Sequence, residues 1–281
     1  MVAARKKDDG ARAHEIVQAL SAAHPDARFE LDFETPLELL VALILAAQFR
    51  DDRVNQITPP LFARYRTAHD WAAADPAELE QQLRAVNFYR QKTKAVQRCC
   101  SELVSRFGGV VPESLDDLLT LPHVGRKTAN VLRANAFGAP AIGVDRHVAR
   151  LAQRIGFTRK TDPDEIEHDL TKAVRPDDRI RFCHLLQWHG RRVCLAREPR
   201  CAVCVVQPLC DFGRSSARTA RAGAASKRTT TAGRNPTTAK PRAGRAAPRT
   251  DAGAIGTAVR RNEKAKATRA QTGRSTSRPP R

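Results

Sequence analysis

The stretch that most constrains the fold is TPLELLVALILAA, residues 35–47, which ends in nine uninterrupted apolar residues. Thr35 is placed to cap a helix, Pro36 suits its first position, and Glu38 closes a capping box, so the spacing predicts a helix over 33–49. A helix apolar on every side needs other elements packed round it. Nine residues are too few for the roughly 20 that cross a bilayer, so the segment reads as a buried core helix. Residues 11–23, ARAHEIVQALSAA, put Ile16, Leu20 and Ala23 on one face and stop before Pro25. Further helices are predicted near 51–66, 75–84, 90–107, 113–120, 126–137, 145–155, 162–173 and 177–190, with Gly, Pro or Asp near most of the breaks. No alternating apolar run argues for a sheet, and the expected class is all-α.

The 281 residues suffice for one large or two modest domains. Charge divides them unevenly. Residues 215–281 hold 17 Lys/Arg against 2 Asp/Glu, which is +15 of the total +19, and contain no Phe, Trp, Tyr or Leu. Such a segment buries too little apolar surface to offset its ordering entropy, and it reads as a disordered basic tail. Its charge suits a polyanion, above all nucleic acid, with a merely solubilising tail as the alternative. No apolar N-terminal run resembles a signal peptide, so a cytoplasmic protein without a membrane partner is expected. Thiols stay reduced there, and the seven cysteines do not read as a disulfide framework.

Four of those cysteines cluster as Cys194-x6-Cys201-x2-Cys204-x5-Cys210. Four thiolate donors so close together suit either a structural zinc or an iron–sulfur cluster. Arg197 and Arg200 lie between the first two, where a loop pinned by metal at both ends can present them to phosphates. Cys99, Cys100 and Cys183 fall outside the cluster and read as core residues. A second signal is residues 113–137, which suggest a helix–hairpin–helix. Ser114 caps a short helix anchored by Leu118, Leu119 and Leu121, Pro122 to Gly125 turns the chain, and Ala129, Leu132 and Ala136 form the inner stripe of the next helix. The turn would leave backbone N–H groups of 123–127 at a helix N-terminus, ready for a DNA phosphate; a plain helical hairpin is the alternative. The third signal is GVDRHVARL, 143–151, where Asp145 is placed to cap a helix. A carboxylate fixed there could also stabilise a cationic transition state.

Taken together and in this order, TPLELLVALILAAQ, LPHVGRKTAN, GVDRHV and the four-cysteine spacing resemble the endonuclease III family, iron–sulfur DNA glycosylases of the helix–hairpin–helix superfamily. The resemblance spans about residues 11–212. It implies a two-lobed fold, with a six-helix lobe over 29–139 and an iron–sulfur lobe of 1–28 and 140–214. It implies a [4Fe-4S] cluster on Cys194, Cys201, Cys204 and Cys210, with zinc as the weaker alternative. It also implies a monomeric, nucleoid-associated enzyme of base excision repair that acts on double-stranded DNA with damaged bases or abasic sites. Lys127 would attack the sugar C1′ of an oxidised pyrimidine nucleotide, form a Schiff base, and cut the strand by β-elimination. Asp145 would assist loss of the base, and His147 is not assigned a catalytic role. Gln48 and Phe88 would fill the space left by the extruded nucleotide, though Gln48 could face solvent and Phe88 could be core. His123, Val124, Gly125 and Arg126 would hold the backbone phosphate.

Several residues depart from the family pattern. His123 replaces the first hairpin glycine, Phe49-Arg50 an Ala-Thr pair, Asn87-Phe88 a Gly-Leu pair, Arg146 a threonine and Glu198 a basic residue. These bear on lesion preference and efficiency. Two other readings stay open: a mismatch or deaminated-base glycosylase on the same scaffold, or a non-catalytic DNA-binding paralogue.

Overall fold

The computed structural model describes residues 9–219. Its elements in chain order are α1 (Asp9–Ala23), α2 (Pro36–Ala46), α3 (Asp51–Arg64), α4 (Ala68–Ala73), α5 (Pro76–Gln82), α6 (Tyr89–Phe107), α7 (Leu115–Thr120), α8 (Arg126–Ala136), α9 (Arg146–Ile155), α10 (Pro163–Ala173) and α11 (Arg179–Arg192), followed by short 3-10 turns around the last three clustered cysteines. Among the described residues there is no strand. Residues 211–219 are helical, so a helix continues past 214, where the sequence placed the start of a disordered tail. The remainder of that tail, 220–281, lies outside the described residues.

The elements start where the sequence places their caps. Thr35 accepts from the Glu38 N–H at 3.2 Å and the Glu38 carboxylate accepts from the Thr35 N–H, which completes the capping box of α2. Seven of its residues are buried, as its all-round apolar surface requires. The helix α4 was not anticipated. It is only six residues long and announced by a Thr67/Asp70 capping box rather than by periodicity, so the region 29–139 carries seven helices and not six. Leu119, expected as an anchor of α7, is 39 % exposed; Leu118 and Leu121 are the buried ones.

Buried apolar side chains fall into two clusters. One runs from Leu31 to Leu132 and is built on α2 to α8. The other combines α1 with α9, α10 and α11, from Ala13 to Ala27 and from Ile142 to Cys210. Arg126 at the start of α8 reaches across to α10, where it makes two hydrogen bonds to the Glu167 carboxylate at 2.7 and 3.1 Å. Cys99, Cys100 and Cys183 are buried, and burial pushes the Cys99 thiol up to about 12. They are inert core residues.

Candidate active site

Lys127 is the second residue of α8, and Asp145 is the N-cap of α9. Both line one cleft of about 870 Å³, together with Phe49, Arg50, Asp51 and Arg146. Gly143 explains how the two helix starts meet. A Cβ there would lie 2.5 Å from Val131 Cγ2 and 3.5 Å from the Lys127 carbonyl, so only glycine lets the segment before Asp145 pack onto α8.

The two helix ends differ in how they are finished. Asp145 Oδ1 accepts from the backbone N–H groups of His147 and Val148, both at 2.8 Å. Oδ2 takes no part in that cap. The start of α8 has no side-chain cap. Its hydrogen-bond ladder begins with the Ala129 N–H to the Gly125 carbonyl, so the N–H groups of its first turn precede the ladder and keep their partial positive charge. Gly125 is extended, with φ −86°, and a Cβ on it would meet nothing within 4 Å. Nothing in the protein therefore requires glycine there.

Two hairpin residues have partners within the protein. The Val124 side chain is buried, and its N–H is donated to the Leu121 carbonyl at 3.3 Å rather than left outward. Arg126 is paired with Glu167 through two hydrogen bonds. His123 is exposed, with φ +65°. Gln48 and Phe88 are also exposed, with φ of +54° and +59°; Phe88, at 57 % exposure, is not a core residue. Gln48, Phe88, His123, Arg197 and Arg200 lie outside the lining of the Lys127 cleft. Arg197 and Arg200 are exposed on the cysteine loop.

The cleft also holds groups the sequence did not single out. Arg191 of α11 pairs with Glu30 and lies 3.8 Å from Asp51. Burial raises the Asp51 carboxyl above the usual carboxylate range and Glu30 adds to this, while Arg191 and Lys127 oppose it. His147 is buried and held below the usual imidazole value, chiefly by burial. Its Nδ1 lies 3.2 Å from Arg150, which also donates to the Gly190 and Cys194 carbonyls. Arg150 and Arg154, one turn apart on α9, both reach carbonyls of the cysteine loop.

The four clustered cysteines line a single cavity walled by Leu151, Ile155, Val193 and Phe212. Three sulfurs have a nitrogen within reach. Arg154 donates to Cys194 Sγ at 3.2 Å, the Gly213 N–H to Cys210 Sγ at 3.4 Å, and His189 Nε2 lies 3.4 Å from Cys204 Sγ. Cys210 Sγ is also 3.2 Å from the Arg154 carbonyl, a contact that only the thiol form makes. His24 Nε2 stands 3.0 Å behind His189 Nδ1, both rings buried. Among the described residues no three His, Cys, Asp or Glu side chains converge closely enough for a single metal ion.

An all-helical scaffold with a short hairpin opening onto a basic helix start, and a cleft between two cores, defines a class. Residues 41–176 match the model of the HhH-GPD superfamily of base excision DNA repair proteins. The chain is 46 % identical to endonuclease III of Synechocystis sp. over 206 residues, 73 % of this chain and 94 % of that protein. It is 35 % identical to endonuclease III of Escherichia coli K12 over 198 residues, 70 % of this chain and 94 % of that one. A solved trapped endonuclease III–DNA covalent intermediate superposes with a TM-score of 0.67 at 39 % identity, covering 73 % of this chain and 98 % of that one. A thermostable thymine-DNA glycosylase reaches the same TM-score at 20 % identity, a likeness of fold alone. The chain belongs to the endonuclease III family, the DNA glycosylase/lyases of base excision repair.

Proposed function

We propose that this chain excises oxidised pyrimidines from duplex DNA through Lys127 and then cleaves the strand by β-elimination. The observation that carries the reading is the shared cleft, where the amine of Lys127 and the carboxylate of Asp145 stand at two helix starts packed together through Gly143. A relative of the same family has been captured as a covalent intermediate with DNA, which supports an amine nucleophile in this cleft.

In the first step the neutral Lys127 Nζ bonds to C1′ as the glycosidic C1′–N bond breaks, and the base departs with that electron pair and takes up a proton. Positive charge grows on the sugar, and Asp145, held by two N–H bonds, stabilises it without reorganising. Loss of an amine proton, with the C1′–O4′ bond breaking and O4′ taking up a proton, opens the sugar ring and gives the Schiff base. Removal of a C2′ proton then expels the 3′ phosphate, and water releases the lysine. Extrusion of the nucleotide into the cleft precedes all of this. The uncapped start of α8 and the open space over Gly125 suit a backbone phosphate flanking the lesion.

Cys194, Cys201, Cys204 and Cys210 would hold a [4Fe-4S] cluster. Four cysteines round one cavity, with a nitrogen beside three of the sulfurs, suit such a cluster, and a structural zinc is the weaker alternative. The cluster would supply structural support to the Arg197–Arg200 loop, since glycosidic hydrolysis needs no electron transfer.

Borohydride trapping on duplexes with an oxidised pyrimidine or an abasic site tests the proposal. The protein should form a covalent adduct that Lys127→Ala abolishes. An adduct that persists in Lys127→Ala would overturn the nucleophile, and absence of any adduct would favour a DNA-binding paralogue. Visible absorption that a zinc site lacks reports the cluster.

A further inference from the structure

Among the described residues Lys92 is the one lysine or arginine that is buried, at 6 % exposure. An ammonium group out of water is costly unless it is well paired. Lys92 Nζ donates to the Leu45 carbonyl at 2.6 Å and sits 5.3 Å from the centre of the Phe49 ring. Burial pulls its pKa down to about 8. Leu45 lies in the last turn of α2, where carbonyls lack helical partners, and Lys92 lies in the first turn of α6. Between these two ends project Gln48, three residues after Leu45, and Phe88, four before Lys92. Both are left-handed and neither is glycine. Backbone strain of this kind persists only where the surroundings enforce it. A weaker tie runs in parallel, from Asn87 Nδ2 to the Gln48 carbonyl at 3.5 Å.

We propose that Lys92 is a positioning residue, which fixes Gln48 and Phe88 at one separation so that they enter the duplex as a paired wedge when the lesion is extruded. The inference rests on the reading of the cleft as a glycosylase site. Phe49, where the family often has alanine, supplies the ring against which this chain's lysine is seated. The tie lies wholly within the first core and touches neither Lys127 nor Asp145, so its action is on the DNA and not on bond breaking.

The test compares two substrates. One is a duplex carrying thymine glycol opposite adenine, and the other carries the same lesion opposite a one-nucleotide gap, where no pair must be opened. Lys92→Met removes the charge and the donor while keeping the bulk. The single-turnover trapping rate should fall about tenfold or more on the paired duplex, as expected for loss of a charged hydrogen bond, and should largely recover on the gapped one. A 2-aminopurine beside the lesion should unstack less with the variant than with the wild type. Equal loss on both substrates, or loss on neither, would overturn the proposal. Asn87→Ala, an exposed change, should shift the same two readouts in the same direction but less, and decides the matter if Lys92→Met fails to fold. Failure of the wild type to trap would sink the glycosylase reading instead, while the fluorescence would still decide on Lys92.

Discussion

Replacing Gly125 by alanine separates what the protein needs from what DNA needs. In the free protein the new methyl group meets no atom within 4 Å, and φ −86°, ψ 169° is open to any residue. Alanine is a poorer N-cap than glycine by up to about 1 kcal/mol. It also restricts the unfolded chain, which returns about 0.4–1 kcal/mol. The two nearly cancel, so the melting temperature should move by only a few degrees. The DNA side does not cancel. A methyl group on this surface holds a phosphate away from the first-turn N–H groups, and losing one hydrogen bond to a charged group costs about 1.5–3 kcal/mol. Affinity for a duplex with a reduced abasic site should therefore drop by about ten- to a hundredfold. Fluorescence anisotropy at fixed salt reads the affinity, and a thermal melt reads the fold. Wild-type affinity in Gly125→Ala would refute the reasoning, and a melt that falls in step with affinity would move the cause to folding.

Asp145→Asn keeps a side chain that caps as well as aspartate, so the melt should hold while single-turnover excision falls by about 10²–10³. A rate left intact would reduce Asp145 to its capping role. His184 is held at about 4 by burial, with Nε2 against Asn135 Oδ1 at 2.9 Å, whereas the unfolded value is 6.5. The unfolded chain therefore takes up this proton first, so stability is intact above pH 6.5 and is lost as pH falls toward 4, by up to about 3 kcal/mol. His184→Gln should flatten that loss in urea titrations at pH 7 and 4.5; an unchanged difference would show that the imidazole is not its source.

What could be read in advance was whatever is encoded locally. The capping box of α2 and the Asp145 cap of α9 lie within a few residues and the four cysteines within seventeen, and each occurs in the structure where the pattern put it. The helix α4 escaped because six residues carry too little periodicity to register. Lys92 escaped for a different reason. Its partner carbonyl is 47 residues away, and a lysine in an amphipathic helix reads as solvated until the packing of α2 on α6 is known. The Arg191 to Glu30 pair spans 161 residues and was invisible on the same grounds. Arg126 is a further case. Its bidentate pairing with Glu167 lies 41 residues along the chain and depends on how α8 and α10 meet.

Backbone strain links the sequence departures to the candidate DNA surface. Among the described residues the non-glycine positions with positive φ are Gln48, Phe88 and His123. All three are exposed, so none gains core packing in exchange for a conformation that L-residues resist. Glycine would hold each bend without steric cost, and at 123 it is the residue the family often uses. A chain that keeps the left-handed turn but fills it with histidine retains the geometry and adds an imidazole beside the uncapped start of α8. Strain tolerated at exposed sites, and at none of the buried non-glycine positions, is what a surface shaped for an external partner requires, because there the side chain answers to the partner and the fold must hold the backbone for it.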